Sequence, residues 1–177
     1  MKNTIFALIG SVFASVAIAA TPAAKQVLGF VELDKTTQQQ VEKSIQERGC
    51  RGSWQGEHVF EVASGCFNLP GRPSVKFYFY NDTKEVYLVG LKGSKGSFKT
   101  YANSLRKTYG TPSKFKEAFV GDQYALWKKK DIVVDLDEPH LSWEFELTYV
   151  SRGIWNRWEQ QQAEKKKKNA DDLNNLI

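Results

Sequence analysis

The segment LSWEFELTYV, residues 141–150, constrains the fold more than any other part of the chain. Apolar and polar side chains alternate along it, which predicts a β-strand with one face on a core and the other in water. The apolar set comprises Leu141, Trp143, Phe145, Leu147 and Tyr149. The remaining chain must therefore supply neighbouring strands for this segment and helices that cover its apolar face.

The N-terminal residues 1–19 have the features of a secretory signal peptide. Lys2 is followed by an apolar run over residues 5–19, which ends in the small-residue pattern Ala17-Ile18-Ala19. The run is too short for a membrane-spanning helix and matches an export signal. We therefore expect a periplasmic or secreted protein with no transmembrane segment once the signal has been removed.

The rest of the chain is predicted to form one α+β domain, residues 20–152, followed by a C-terminal helix and polar tail, residues 153–177. A threonine capping box predicts one helix from about residue 37, and apolar residues at helical spacing predict another from residue 98. Each helix precedes three alternating segments, at residues 58–63, 75–80 and 84–91 and at residues 124–129, 132–136 and 141–150. This order predicts two helix-plus-three-strand halves that share one antiparallel sheet, with the helices on one face. A further short strand is expected at residues 28–33.

Cys50 and Cys66 are the two cysteines of the chain, and export would place them where thiols are normally oxidised. We therefore expect a disulfide bond, which in the chain-entropy model stabilises a loop of this size by about 3 kcal/mol. A metal site is the alternative, but it would need further ligands, and the sequence offers only two histidines, His58 and His140. We expect neither a metal nor a cofactor.

Two groups of acidic residues have spacings that suit particular chemistry. Glu144 and Glu146 lie two residues apart on the polar face of one predicted strand, a separation that suits the paired carboxylates of a glycosidase. Glutamates on a solvated sheet face explain the same spacing, and we favour that interpretation. The donor types of a cation site are present in the cluster Asp135, Asp137, Glu138 and His140. A turn between strands collects the same residue types. Neither histidine lies in a recognisable catalytic motif, so we expect no catalytic residues.

The aromatic residues of the predicted hairpin at residues 75–91 indicate an interaction surface. The side chains expected to face the helices are Val75, Phe77, Phe79, Val86 and Leu88. Tyr78, Tyr80 and Tyr87 would then share the opposite, open face, and tyrosine is enriched at binding hot spots. The strand propensity of tyrosine also explains the pattern, so both interpretations stay open.

The charge pattern bears on the choice of partner. The formal net charge of the chain is +5, and loss of Lys2 with the signal leaves a mildly basic protein. We expect no nucleic-acid partner. A run of four lysines would suit weak contact with a membrane surface, although acidic residues nearly balance it within the tail: Lys165, Lys166, Lys167 and Lys168.

A short strand, a threonine-capped helix with a valine one turn in, and a second helix with a glycine-proline exit follow one another in the sequence. The residues that carry this pattern are Thr36, Thr37, Val41, Tyr109, Gly110 and Pro112. In this respect the chain resembles the exported helix-plus-sheet domains of the β-lactamase-inhibitor-protein and outer-membrane-assembly-lipoprotein type. It lacks the lipid-attachment cysteine of the second group. The resemblance implies a protein-binding role without catalysis.

Two functions follow from these observations. The first is an exported, non-catalytic protein-binding domain, such as an inhibitor, an immunity factor or an envelope adaptor, whose partner is another envelope or secreted protein. The second is a small hydrolase of envelope glycan that uses Glu144 or Glu146 as acid or base. An enzyme requires a concave site with a partly desolvated carboxylate, whereas a binding protein can use a flatter surface.

Overall fold

The structure is a computed structural model, in which residues 26–118 and 120–174 are described. The predicted signal peptide lies outside these residues. Within them the chain forms three α-helices: α1 Gln38–Glu47, α2 Phe98–Tyr109 and α3 Arg152–Asn174. The helix predicted near the C-terminus therefore begins directly after the last strand.

The described residues also contain ten β-strands in two antiparallel sheets. β1 Gln26–Val27 and β2 Val31–Glu32 form a two-stranded sheet. The others are β3 Gly52–Trp54, β4 Val59–Val62, β5 Ser74–Phe79, β6 Val86–Ser94, β7 Lys114–Lys116, β8 Gln123–Lys128, β9 Ile132–Glu138 and β10 Glu144–Ser151. These eight form one sheet in the order β3-β4-β5-β6-β10-β9-β8-β7. A mixed α+β fold with a large antiparallel sheet is therefore confirmed.

The large sheet has two more strands than the sequence predicts. Four strands, β3 to β6, follow α1, and four strands, β7 to β10, follow α2, so the expectation of three strands after each helix is wrong. The additional strands, β3 and β7, are three-residue strands at the two edges, and every residue of β7 is exposed. An exposed edge strand needs no apolar alternation, so the pattern that predicts the other strands does not detect it.

The strand predicted at residues 28–33 is instead a small hairpin. β1 and β2 pair across a turn in which Leu28 and Gly29 have positive φ angles of 56° and 75°. The reversal brings Val27 and Val31 into the core, where they are 2% and 0% exposed. The apolar residues of this segment therefore come from both arms of a turn and not from one strand.

The predicted ends of α1 are confirmed. Thr37 is the N-cap residue, and its backbone N–H donates to Gln40 Oε1 at 2.8 Å, as in a capping box. Gly49 follows the last turn with a φ of 69°, a left-handed conformation that glycine adopts without a steric penalty. Val41 and Ile45 are the buried residues of the helix, in line with its narrow apolar stripe.

The two faces of the large sheet are covered by different helices. On the inner face, side chains of α1 and α2 pack with the strands in one buried cluster that includes Val41, Tyr101, Phe77, Trp127 and Phe145. The opposite, outer face carries a smaller cluster formed by Leu88, Leu126, Val133, Val150 and Ile154. Ile154 belongs to α3, so the C-terminal helix docks on the outer face.

Leu88 lies on the outer face and not on the inner face where the alternation placed it. The pairing between β5 and β6 shifts at a β-bulge, because Tyr78 pairs with Leu88 whereas Phe79 pairs with Val86. The extra residue is Tyr87, and both Tyr87 and Leu88 pack with the outer cluster. One inserted residue thus reverses the side on which the following residues of the strand lie.

β10 begins at Glu144, later than the alternation predicts. Phe145 and Leu147 are fully buried, but Leu141 and Trp143 are 91% and 88% exposed. The core placement predicted for Leu141 and Trp143 is therefore wrong. Both residues precede the first position at which the strand pairs with β6. The alternating pattern begins at Leu141, before the strand enters the sheet. The described residues do not cover the side chains of Leu141 and Trp143 there.

The predicted disulfide bond is present between Cys50 and Cys66, with the Cα atoms 5.5 Å apart. It joins the end of α1 to the loop between β4 and β5. Among the described residues, no three or more His, Cys, Asp or Glu side chains form a group that could hold a metal ion. None of the helices in residues 26–118 and 120–174 combines the length and the apolar character needed to cross a membrane.

Candidate binding groove on the outer face

The three tyrosines predicted to mark an interaction surface lie together on the outer face. The ring centroids of Tyr78 and Tyr87 are 6.4 Å apart, and those of Tyr80 and Tyr87 are 5.0 Å apart. All three side chains are half-buried, because they pack against the outer cluster. The tyrosine surface is therefore partly covered by the beginning of α3.

Two of these tyrosines support the fold. The Tyr80 hydroxyl donates a hydrogen bond to the Asp34 carboxylate at 2.8 Å. Burial raises the pKa of Tyr80, and this hydrogen bond raises it further. Burial likewise raises the pKa of Tyr87. Both phenols therefore remain neutral at physiological pH. Tyr78 differs from them because it also lines a groove.

This outer groove lies between the sheet and α3 and has a volume of about 570 Å³. Its lining comes from β5, β6, β9, β10 and α3, and the residues used below are Tyr78, Gly90, Asp135, Thr148, Trp155 and Trp158. A volume of this size is typical of a site that accepts a small molecule or a large side chain.

The floor of the outer groove is formed by small residues at the centre of the sheet. Gly90 of β6 pairs with Thr148 of β10, which in turn pairs with Asp135 of β9. A Cβ atom added to Gly90 would meet only the side chains of Leu88 and Tyr78, at 3.8 and 4.0 Å. The space above Gly90 is therefore open, and the depression exists because this position has no side chain.

The wall of the outer groove comes from α3. Trp155 and Trp158 are about one helical turn apart, and their ring centroids are separated by 6.4 Å. Ile154 anchors the helix in the outer cluster, whereas every residue from 156 to 169 is exposed. Trp158 is 40% exposed beside the groove. A ligand in the groove would bury more of this ring and gain its apolar contact area.

The outer side chains of the three central strands form an acidic strip. β6 contributes Lys92, while β10 and β9 contribute four carboxylates, those of Glu144, Glu146, Asp135 and Asp137. The strip has a formal charge of −3, although the whole chain has +5. Lys92 Nζ lies 2.9 Å from Glu144 and 3.6 Å from Glu146, so one lysine forms ion pairs with both glutamates. Among the described residues, no cation lies within salt-bridge distance of Asp135 or Asp137.

Asp135 is half-buried, whereas the other three carboxylates of the strip are exposed. Burial raises the pKa of Asp135, the negative charge of Asp137 raises it further, and the positive charge of Lys114 partly opposes both effects. No hydrogen bond reaches this carboxylate from the described side chains or backbone. A desolvated carboxylate without a close ion pair destabilises a fold, and such groups concentrate at functional sites.

Replacing Asp135 by asparagine is therefore expected to stabilise the protein at pH 7. The folded state holds the pKa of this carboxyl above its ordinary value, so its ionised form lowers the free energy of unfolding at neutral pH. The neutral amide removes this penalty, and the midpoint of urea unfolding should rise. Below pH 3.8, the ordinary value of an aspartate, both states are increasingly protonated and the gain should disappear.

The matched control for this experiment is Glu164→Gln, which removes a carboxylate from the exposed part of α3. This variant should leave the urea midpoint unchanged at pH 7 and at pH 3. A lower midpoint for Asp135→Asn than for the wild type at pH 7 would show that the carboxylate stabilises the fold and would contradict the prediction.

The residues of the possible cation cluster lie in three different environments. Glu138 is buried, and its carboxylate accepts hydrogen bonds from the backbone N–H groups of Gly96 and Phe98 at the start of α2. It thereby satisfies donors at the N-terminus of that helix. The backbone N–H of His140 donates to the Asp122 carboxylate on a neighbouring loop. Glu138 and His140 are thus each engaged with groups outside the predicted cluster.

Glu144 and Glu146, the alternative catalytic pair, both lie on the outer face and are exposed. Each is within ion-pair distance of Lys92. A glycosidase acid depends on a raised pKa in a partly desolvated position, which neither glutamate occupies. The geometry therefore favours a solvated ion-pair role for both residues.

A second cleft, of about 520 Å³, lies between residues 32–35, the end of α2 and the turn between β8 and β9. Its charged lining residues are Glu32, Asp34, Lys35, Lys129, Lys130 and Asp131. Acids and lysines balance there, Lys35 Nζ lies 2.7 Å from Glu32, and Asp34 accepts the Tyr80 hydrogen bond. The outer groove differs from this cleft in that one of its carboxylates, that of Asp135, has no lysine or arginine within salt-bridge distance among the described residues.

The four lysines predicted to contact a membrane surface lie on the exposed part of α3: Lys165, Lys166, Lys167 and Lys168. Lys166 borders a shallow extension of the surface beyond Trp155 and Trp158. Weak membrane contact through these lysines stays a prediction.

The sequence identified only part of the outer groove. The sequence predicts binding by Tyr78, but it does not mark Gly90, Trp155 or Trp158 as part of a site. The sequence does contain a signal for Gly90, because a glycine inside a long strand often marks a place where a ligand or another backbone segment comes close to the strand. The groove could not be assembled from the pattern, because alternation does not say that β6 lies beside β10.

Comparisons with known proteins give little beyond this geometry. No protein-family model matches the chain, and no curated protein matches it. One similar solved structure is the crystal structure of a DUF4309 family protein (YjgB) from Bacillus subtilis subsp. subtilis str. 168. The two chains are 11% identical, the similarity covers 69% of this chain and 82% of that one, and the TM-score is 0.44.

Proposed function

We propose that this protein is an exported, non-catalytic protein-binding domain that engages another envelope or secreted protein through the outer groove. The observation that carries the proposal is the open groove above Gly90, bordered by Tyr78, Trp155 and Trp158. Export is supported by the signal pattern at residues 1–19 and by the Cys50–Cys66 disulfide.

The composition of the outer groove resembles the centre of a protein interface. Aromatic side chains are enriched at such centres and are surrounded by a polar rim that excludes water. Here the rim includes Lys76, which is paired with Glu61 at 3.6 Å, and Lys92. Fixed aromatic walls also lose little conformational entropy on binding, because the sheet and α3 already hold them.

The hydrolase alternative receives less support from the same surface. Its candidate acids are solvated and share Lys92, so no carboxylate pair is arranged around a bond to be cleaved. Asp135 is half-buried next to Thr148, and Glu146, the other carboxylate of the lining, lies within 3.6 Å of Lys92. The lining therefore does not offer two free carboxylates.

The experiment uses a variant whose side chain fills the groove and measures how much of the partner it retains. Wild-type protein and Gly90→Leu are immobilised, and envelope proteins retained from the source cells are identified by mass spectrometry. The leucine side chain should occupy the floor of the groove and reduce retention of the partner by at least about tenfold. Trp158→Ala, which removes one wall, should weaken retention in the same direction.

Two controls make the outcome interpretable. Gly90→Leu should unfold at nearly the wild-type temperature, because the added Cβ makes only ordinary contacts and the backbone has no positive φ there. Trp143→Ala removes another exposed tryptophan, away from the groove, and should retain the partner fully. Undiminished retention by folded Gly90→Leu would show that the partner binds elsewhere.

A further inference from the structure

We infer that the outer groove receives a lysine or arginine side chain of the partner protein, whose charge is neutralised by Asp135 and whose apolar stem packs against the wall formed by Trp155 and Trp158. The inference rests on the proposed function, because it names the chemical group that the partner presents to this groove.

Charge complementarity is the first argument. Asp135 lies in an acidic strip with a formal charge of −3 on a protein whose net charge is +5, while the groove lining itself holds two acids, Asp135 and Glu146, and two lysines, Lys76 and Lys92. Asp135 is the half-buried member of the strip, and the positive charge of Lys114 acts on it only from beyond salt-bridge distance. A cation that enters the groove would supply the missing ion pair and remove the penalty of the desolvated carboxylate.

The lysines that line the groove are already engaged. Lys76 Nζ lies 3.6 Å from Glu61, and Lys92 Nζ lies within 3.6 Å of both Glu144 and Glu146. Neither is within salt-bridge distance of Asp135. Lys114 acts to lower the pKa of Asp135 but is not within salt-bridge distance either. No cation of the described residues therefore contacts this carboxylate, and the groove can admit one from outside the chain.

Aromatic walls are the second argument. A cation is attracted to the face of an aromatic ring, most strongly to tryptophan, and the attraction grows when water is excluded. The chain already shows this arrangement next to the groove. Lys128 Nζ lies 5.6 Å from the centroid of the Trp155 ring and also contacts the Glu159 carboxylate. Asp135 and Trp158, which both line the groove, supply a carboxylate and an aromatic ring of the same kinds.

The donor set favours an organic cation over a metal ion. Metal ions such as calcium and magnesium require several oxygen ligands, and the described residues contain no group of three or more suitable side chains. One carboxylate among aromatic rings suits an ammonium or guanidinium group, which carries its charge at the end of an apolar chain.

The test uses two small probes that differ in charge. N-acetyl-arginine amide is titrated into ¹⁵N-labelled full-length mature protein, and N-acetyl-citrulline amide, its neutral analogue, is titrated in parallel. The arginine probe should give saturable chemical-shift changes at the amides of Gly90 and Thr148 and at the indole N–H of Trp158. The changes should weaken as salt is added, and the citrulline probe should bind at least about tenfold more weakly.

Two variants then test whether Asp135 is the carboxylate that binds the positive charge of the probe. Asp135→Asn should weaken the arginine probe at least about tenfold, whereas Glu164→Gln should leave its binding unchanged. Equal binding of both probes, or full binding by Asp135→Asn, would overturn the inference, as would shift changes confined to another surface. These results are separable from the proposed function. If the arginine probe does not bind but Gly90→Leu still loses the partner, only the cation assignment fails; if the probe binds and Gly90→Leu keeps the partner, the proposed function fails.

Discussion

Replacing Phe145 by alanine is expected to lower the free energy of unfolding by about 3 to 5 kcal/mol. Phe145 is fully buried on the inner face, and its ring centroid lies 4.8 Å from that of Tyr101 on α2. The backbone of Gly93 approaches it so closely that an added Cβ there would lie 2.7 Å from the ring. Truncation would therefore leave a cavity among neighbours that are held by the sheet. Equilibrium urea unfolding would measure the loss.

The matched control is Trp143→Ala, two residues earlier in the same alternating segment. Trp143 is 88% exposed, so its removal should change the free energy of unfolding by less than about 0.5 kcal/mol. The sequence pattern assigns the two aromatic residues to the same face and would make both changes costly. Similar losses for Trp143→Ala and Phe145→Ala would mean that the strand starts earlier than Glu144.

The second large effect concerns the disulfide. Replacing Cys50 and Cys66 together by serine is expected to destabilise the protein by about 3 kcal/mol, because the unfolded chain is no longer constrained by the loop between them. The urea midpoint of the wild type should fall to that of the double variant when reductant is added. The double variant itself should not respond to reductant.

Mass analysis of the wild type provides the check on this experiment. The reduced form should be heavier by two hydrogen atoms, which shows that the bond was present before treatment. A wild type that gains these two hydrogen atoms and keeps its urea midpoint would contradict the stabilising role of the disulfide.

Local signals in the sequence predict local structure well in this protein. Thr37 and Gly49 delimit α1 because a capping residue and a left-handed glycine act within one helical turn. The disulfide was predictable because two cysteines allow one pairing. The same local information fails at Leu88, where a single extra residue at Tyr87 reverses the facing of the strand.

The candidate site depends on information that no local pattern contains. Gly90, Thr148 and Asp135 are neighbours only because β6, β10 and β9 are adjacent in the sheet. Alternation predicts which side of a strand is apolar but not which strands are paired. The exposure of Trp143 was missed for a related reason, since a strand ends where its partners end and not where its own pattern ends.

The strand synthesised last lies in the middle of the large sheet. β10 pairs with β6, and Glu144 meets Ser94 across a sequence separation of 50 residues. Until β10 is in place, β6 and β9 each present a bare edge of backbone N–H and C=O groups, which can pair with another chain. Pairing across such a distance is slow, because the intervening chain must be ordered before the contacts form. A chain that lacks residues 144–151 would therefore leave both edges unpaired, and it is expected to aggregate more readily than the full-length protein.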